Sequence, residues 1–217
     1  MRQMKGLIND AQGPVTQLPH TTEFRDKSRV IAQKAADKYD QLIESRFIEM
    51  INRCKYQIKL GHIIEPHKAE KCGKSDYPVL SITRWDGLVL QSSRFKKEIA
   101  SQDKTQYKVV PRNKLVVAFP IDEGLVCAQN VVDAGIVSPA YSIYSIDESI
   151  MKPTILQRYL RSDWAIQFYL SKLRGTTLRR RSIPKDDFFD MDIKIPSMAE
   201  QEAFLRFEHI HDSIKNS

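Results

Sequence analysis

Long apolar runs are missing from this sequence. No stretch approaches the roughly 20 consecutive apolar residues that cross a bilayer, and the opening MRQMKGLINDAQG has no apolar core of signal-peptide length. Cysteine is scarce: Cys54, Cys72 and Cys127 lie far apart, with no CxxC pair and no histidine at zinc-like spacing. That pattern points to reduced thiols in a cytoplasmic protein rather than a disulfide framework. His20, His62, His67, His209 and His211 form no HExxH, and His62 and His67 fall among loop residues, so no metal site is expected. There is no GxGxxG, no GxxxxGK(S/T), no GxSxG and no Asn/Asp-Pro-Pro-aromatic methylation motif. The usual signatures of an enzyme are therefore largely missing, and a non-catalytic chain is expected.

What is present is an ordinary soluble balance with a basic tilt. Of 217 residues, 41% are hydrophobic and 28% charged, enough for one substantial domain plus an extension, or two small domains. The formal net charge of +7 favours an anionic partner, nucleic acid or a membrane surface.

Residues 1–20 are polar and interrupted by Gly6, Gly13, Pro14 and Pro19, which predicts a loose leader. From Thr21 to Tyr56 there is neither glycine nor proline. Ile31, Ala35, Tyr39, Leu42, Ile43, Phe47, Met50, Ile51 and Cys54 recur in steps of three and four, the mark of one helix face. The spacing predicts a helix over 21–55, with Thr22 as N-cap and Glu23 in the positively polarised first turn. About 31 residues at 1.5 Å each would reach roughly 46 Å, which suits a spacer or a helix packed on another helix.

The texture then changes to short apolar runs between turn residues. YPVLSIT, GLVLQ, YKVV, KLVVAF, GLVCA, VVDAG and YSIYSI read as strands by their β-branched and aromatic content. PTILQRYLRSDWAIQFYLSKLRG reads as one helix opened by Pro153 and stopped by Gly175, with Ile155, Leu156, Tyr159, Leu160, Trp164, Phe168 and Leu173 inward. After a loop over 176–182, Phe189, Met191, Ile193 and Ile195 alternate with Asp190, Asp192 and Lys194 as a half-buried strand. Ser197-x-x-Glu200 is a capping box for a last helix carrying Ala203, Phe207, Ile210 and Ile214 on one face. The expected architecture is a mixed α+β domain over 56–196 between a long helix and a shorter one over 197–217.

Three groups of residues could carry chemistry. Arg174, Arg179, Arg180 and Arg181, with Thr176 and Thr177, form a cationic loop suited to phosphate oxygens and to the O6/N7 edge of guanine. Arg94, Lys96 and Lys97 form a second basic patch. Arg84 sits at a strand end beside Trp85, whose indole could touch sugar or base, although core packing is the simpler expectation. Asp190, Asp192 and Lys194 resemble a magnesium nuclease array, and the solvated outer face of a strand explains the same alternation. Besides DNA recognition, a protein-interaction module built on the long helix, with non-specific DNA affinity, and a magnesium-dependent nuclease fit the composition.

The ending KDDFFDMDIKIPSMAEQEAF resembles the strand, Ile-Pro, short link, Glu-Gln, helix junction that closes each target-recognition domain in specificity (S) subunits of type I restriction–modification systems. LIESRFIEMI resembles that family's spacer before a recognition domain, IKLGHIIE the domain opening, and LRGTTLRRRSIPKDDF the glycine-containing loop before the last strand. The resemblance runs over about residues 23–217. It implies double-stranded DNA recognition, with methyltransferase and restriction subunits as partners. S-adenosylmethionine, ATP and magnesium would sit in those partners and none in this chain. Family members carry two recognition domains on paired long helices, so one domain here implies a half-subunit or truncated form. Such a form could dimerise through helix residues such as Ile31, Leu42, Phe47, Met50, Phe207 and Ile210.

Overall fold

The computed structural model describes residues 20–94, 103–174 and 183–215, with side chains over 25–94, 103–174 and 183–210. The chain divides into two units at Glu44/Ser45. Helix α1 runs His20–Arg53. Thr22 therefore lies inside the helix and does not cap it; of the predicted leader over 1–20, His20 belongs to the helix and the rest lies outside the described residues. In the first unit the helix carries exposed Val30 and Leu42, and Ile31 is 68% exposed. The residues between them are mostly charged or polar, so no sharp apolar stripe forms there.

The second unit is organised by its two ends. Strand β1 (Gln57–Lys59) pairs antiparallel with β10 (Asp192–Lys194), so that Gln57, Ile58 and Lys59 oppose Lys194, Ile193 and Asp192. Leu60 N–H donates to Met191 O at 2.8 Å and Ile195 N–H to Tyr56 O at 3.0 Å, which extends the pairing by one step on each side. The chain enters and leaves the domain through this one neck. In consequence the end of α1 and the start of α6 (Met198–Lys215) lie side by side, with Phe47 and Phe204 edge to face at 5.7 Å.

Between the ends lies an antiparallel four-stranded sheet, β2 (Ile64–Pro66), β9 (Ser142–Ile146), β6 (Leu115–Val117) and β7 (Val126–Ala128), in that order. Two further antiparallel pairs accompany it: the hairpin of β3 (Leu80–Thr83) with β4 (Gly87–Leu90), and β5 (Lys108–Pro111) with β8 (Ala134–Val137), between which the chain runs through β6 and β7. Leu80, Leu88, Val110, Val116, Cys127, Val137 and Ile143 interlock as one apolar cluster across these sheets. Short helix α2 (Gln91–Arg94) follows β4. The predicted strand VVDAG is displaced to Ala134–Val137. The fully buried Gln129 captures the turn before it, accepting from Val131 N–H at 2.7 Å and donating to Val132 O at 2.7 Å.

The predicted single helix after Pro153 is two helices, α3 (Pro153–Leu160) and α4 (Asp163–Lys172). Ser162 breaks them: its extended backbone and its hydroxyl, which accepts from Ala165 N–H, make a fresh N-cap. The break changes the inward face. Ala165 and Tyr169 are buried, and Trp164 stands half exposed. The fully buried Tyr169 donates its hydroxyl to Leu160 O at 2.9 Å, and burial raises its pKa far above the phenol range.

The predicted strand over 189–195 is also corrected. Lys185–Phe189 is a short helix, α5, started by Pro184 and by Asp186 and Asp187 in its first turn. Only Asp192–Lys194 pairs as strand.

Candidate nucleic-acid interface

Of the ten predicted DNA-facing residues, Arg84, Arg94 and Arg174 lie among the described residues. Lys96, Lys97, Thr176, Thr177, Arg179, Arg180 and Arg181 lie outside them. Arg174 is 75% exposed and bonds Asp187 at 3.3 Å, a carboxylate it shares with Lys172 at 3.5 Å. Asp187 is placed for both by the first turn of α5, just before the neck strand.

Arg84 and Arg94 belong to one feature, the tip of the β3–β4 hairpin. The chain reverses over Arg84, Trp85 and Asp86, and Asp86 N–H donates to Thr83 Oγ1 at 3.0 Å. Gly87 closes the turn at φ +73°, a left-handed conformation that glycine adopts without steric cost. From below, Arg161 at the C-terminal end of α3 donates to Arg84 O and, at 2.9 Å, to Cys127 Sγ. Arg94 reaches back from α2 to pair with Asp86. The Arg84 guanidinium lies 5.0 Å from the centre of the Trp85 ring. Trp85 itself is 78% exposed, which overturns the expectation of core packing. A core role fails because the two-stranded hairpin ends before its tip can fold back onto the apolar cluster.

The nuclease array takes a different shape from the one expected. Asp190 caps the end of α5 and Asp192 lies on β10, and Lys59 from the opposing strand reaches both, at 3.3 and 3.0 Å. The hydrogen bond to Asp192 leads the rise in the Lys59 pKa. The carboxylates are thus ion-paired across the neck. Among the described residues no group of three or more histidine, cysteine or acidic side chains could hold a metal ion.

Of the residues expected to meet a partner helix, Ile31, Leu42 and Ile210 are exposed, and Phe207 is half-buried under Arg46, 5.5 Å from its ring. Phe47 and Met50 are buried within the second unit itself, Phe47 against Phe204, so they are not available as an outer face. A groove of about 310 Å³ runs between the two helices here, lined by Arg46, Glu49, Arg53, Glu200 and Phe207 among others.

The residues that hold this junction were only partly visible in the sequence. The capping box forms as expected: Ser197 N–H donates to Glu200 Oε2 at 2.9 Å and Glu200 N–H to Ser197 Oγ at 3.3 Å. The Ser197 hydroxyl holds the Glu200 carboxyl below its usual range. Arg158 on α3 was not foreseen. Its guanidinium lies 5.8 Å from the Phe47 ring and 5.6 Å from the Phe204 ring, and it pairs with Glu208 of α6. A lone arginine in an amphipathic helix gives no sequence signal of that role. A polar seam on the four-stranded sheet was missed for the same reason. Ser145 Oγ accepts from Lys114 Nζ at 3.1 Å and meets His67 Nδ1 at 3.3 Å. Burial, then the Lys114 charge, lowers the His67 pKa.

No protein-family model and no curated protein matches this sequence. Solved structures do. The HsdS subunit from Thermoanaerobacter tengcongensis is similar over 89% of this chain and 48% of its own, at 13% identity and a TM-score of 0.49. A chain from a type I restriction–modification system, whose structure concerns complex assembly and conformational transition, is similar over 90% and 50%, at 12% identity and a TM-score of 0.50. The type I S subunit from M. genitalium is similar over 86% and 48%, at 10% identity and a TM-score of 0.47. The chain spans about half the length of each of these structures. At these identities the likeness is one of fold alone.

Proposed function

We propose that this chain recognises a sequence in double-stranded DNA as the specificity component of a type I restriction–modification system, directing methyltransferase and restriction subunits without catalysing either reaction. The observation that carries the reading is the neck. The β1–β10 pair delivers two helices side by side from a domain that bears an exposed, cationic hairpin tip, on a fold similar to that of a chain from a type I restriction–modification system. Phosphate contacts would set the register and a few side chains would read base edges in the major groove.

The two described ion pairs suit that role. Arg94–Asp86 and Arg174–Asp187 are partly exposed, and such pairs are each worth about 0–1 kcal/mol. Exchanging the carboxylate for a phosphate therefore costs little. With about five phosphates neutralised by these residues and by Lys96, Lys97, Arg179, Arg180 and Arg181, log affinity falls against log salt with a slope near −4 to −5. Thr176 and Thr177 are the candidate hydroxyl contacts. Methyltransferase subunits would bind the helices, at exposed apolar residues such as Ile31, Leu42 and Ile210 and beside Phe207. A second copy of the chain would supply the other half of a split target. S-adenosylmethionine chemistry on a flipped adenine, and ATP- and magnesium-dependent restriction, belong to the partner subunits.

The test is co-expression with a type I methyltransferase subunit from the same genome in a methylation-free host, followed by mapping of N6-methyladenine. A split methylated motif supports the reading, and a palindromic one adds the dimer. Co-purification without methylation indicates need of a second recognition domain, and neither complex nor methylation sinks the proposal. The exposed Val30, Ile31 and Leu42 also suit an interaction module. Sequence-independent DNA binding with little salt dependence would favour that second reading.

A further inference from the structure

We infer that the hairpin tip is a DNA-contacting plate, in which the Trp85 indole lies against a deoxyribose or an exposed base and the Arg84 guanidinium takes the adjoining phosphate. The inference rests on the DNA-recognition reading and adds to it a residue that charge alone does not reveal.

Exposure is the first argument. A tryptophan buries 150–250 Å² of surface when a core accepts it, yet Trp85 is 78% exposed, and the chain's other tryptophan packs edge to face on Tyr159 at 5.1 Å. Rigidity is the second. Thr83 holds the turn from within, Arg161 holds the Arg84 carbonyl from below, and Arg94 pairs with Asp86 at its side. A Cβ on Gly87 would come within 3.3 Å of Arg161 Nη1 and 3.4 Å of Cys127 Sγ, so the turn is seated closely on its support. A ring carried on a backbone that is held before contact loses less conformational freedom on binding than one carried on a loose loop.

Chemistry selects the ligand. The residues on either side of the indole are Arg84 and Asp86, both exposed and charged, so the tip is a single ring in a polar surround. A protein-binding hot spot is built otherwise, as a larger apolar patch with a polar rim. One ring with a cation over one face, on a chain of net charge +7, matches a sugar–phosphate or base surface: the free face of the ring stacks and the guanidinium meets a phosphate oxygen.

The experiment uses the full chain with Trp164→Phe, which leaves Trp85 as the sole indole reporter, and fluorophore-labelled short duplexes of random sequence. Duplex anisotropy reports binding and indole emission reports contact. Trp85→Ala in the otherwise unaltered chain is measured beside it, with a thermal melt to show that this surface change leaves the fold intact. Trp85 emission should be quenched as anisotropy rises. Trp85→Ala should weaken duplex binding about tenfold with the salt slope unchanged, whereas Arg84→Ala should flatten the slope by about one. Binding that leaves Trp85 emission and Trp85→Ala affinity unaltered overturns the plate and leaves the DNA reading standing. Loss of a co-expressed methyltransferase subunit on Trp85→Ala, with DNA binding intact, assigns the tip to protein and overturns it too. No duplex binding by any form overturns both.

Discussion

Gln201 offers a sharp test of how the mixed α/β domain is joined to its last helix. Its side chain is fully buried, and its amide makes three hydrogen bonds. Lys152 N–H donates to Oε1 at 2.8 Å, and Nε2 donates to Ile150 O at 3.0 Å and to Pro196 O at 2.9 Å. One side chain thus ties the start of α6, the end of the neck strand and the N-terminus of α3. Gln201→Met keeps the volume and removes all three bonds, so no cavity term enters. Each bond is worth about 0.5–1.5 kcal/mol net, and orphaned buried groups push toward the upper end, giving a loss of about 3 kcal/mol. For a unit of this size that lowers the melting temperature by roughly 6–12 °C. Urea unfolding followed by circular dichroism should show a lower midpoint with an unchanged slope. Gln201→Glu keeps the acceptor for Lys152 but turns a carboxylate oxygen toward two carbonyls, which raises its folded pKa above the unfolded value. Stability is then present below the unfolded pKa of about 4.3 and lost as pH rises through the folded one. The Glu variant should therefore be worse at pH 7 than near pH 4. A Gln201→Met variant within about 0.5 kcal/mol of the parent, inside the range of ordinary surface substitutions, would refute the argument.

Arg158→Met keeps an apolar stem between Phe47 and Phe204 but leaves Glu208 without its partner in a half-buried place. The expected cost is about 2 kcal/mol, and a double-mutant cycle with Glu208→Gln should recover at least half of it as coupling. Glu200 is held low by Ser197, so its contribution is present above its unfolded pKa of about 4.3 and lost as pH falls through the folded value. Glu200→Gln should flatten the acid limb of a stability–pH curve, leaving a residual slope from Asp147 and Asp103, which Ser149 and Thr105 hold low in the same way. Gly87→Ala at φ +73° should cost about 1–2 kcal/mol in urea unfolding for the left-handed backbone alone. It should also weaken DNA binding by displacing Arg161 from under the tip.

Local chemistry made much of the fold legible. The absence of glycine and proline marked the body of α1, Pro153 marked a helix start, and Ser197 with Glu200 marked another, because each signal acts locally along the chain. The signal for the α3–α4 break was also local and was outweighed. Ser162-Asp163 is an N-cap followed by a first-turn acid, but the apolar spacing on either side continued through it. Pro184 with Asp186 and Asp187 likewise announced a helix where alternation suggested a strand. The neck could not be read in this way. Its partners stand more than 130 positions apart, and pairing over that distance is decided by the packed domain rather than by any neighbouring residue. Trp85 was misjudged for a related reason: a residue's type predicts burial only where the topology offers a core to enter, and a hairpin tip offers none.

The same topology gives α3 a role that its sequence hides. Within five residues it sends three polar side chains to three destinations. Gln157 Oε1 accepts from Ala128 N–H of β7 at 2.8 Å. Arg158 reaches Phe47, Phe204 and Glu208 at the helix junction. Arg161 holds the carbonyl of Arg84 under the hairpin tip. The first contact fixes the helix to the sheet, so the other two cannot move independently of the core. A two-turn helix is stiff over this length, and packed interiors transmit displacement rather than absorb it. Whatever sets the position of the α1 and α6 ends therefore sets, through one short strut, the position of the Arg84–Trp85 tip. On the proposed reading, in which the hairpin tip meets DNA and the helices are held by partners, the orientation of the tip is fixed by Arg158 and Arg161 together, and neither lies on the tip.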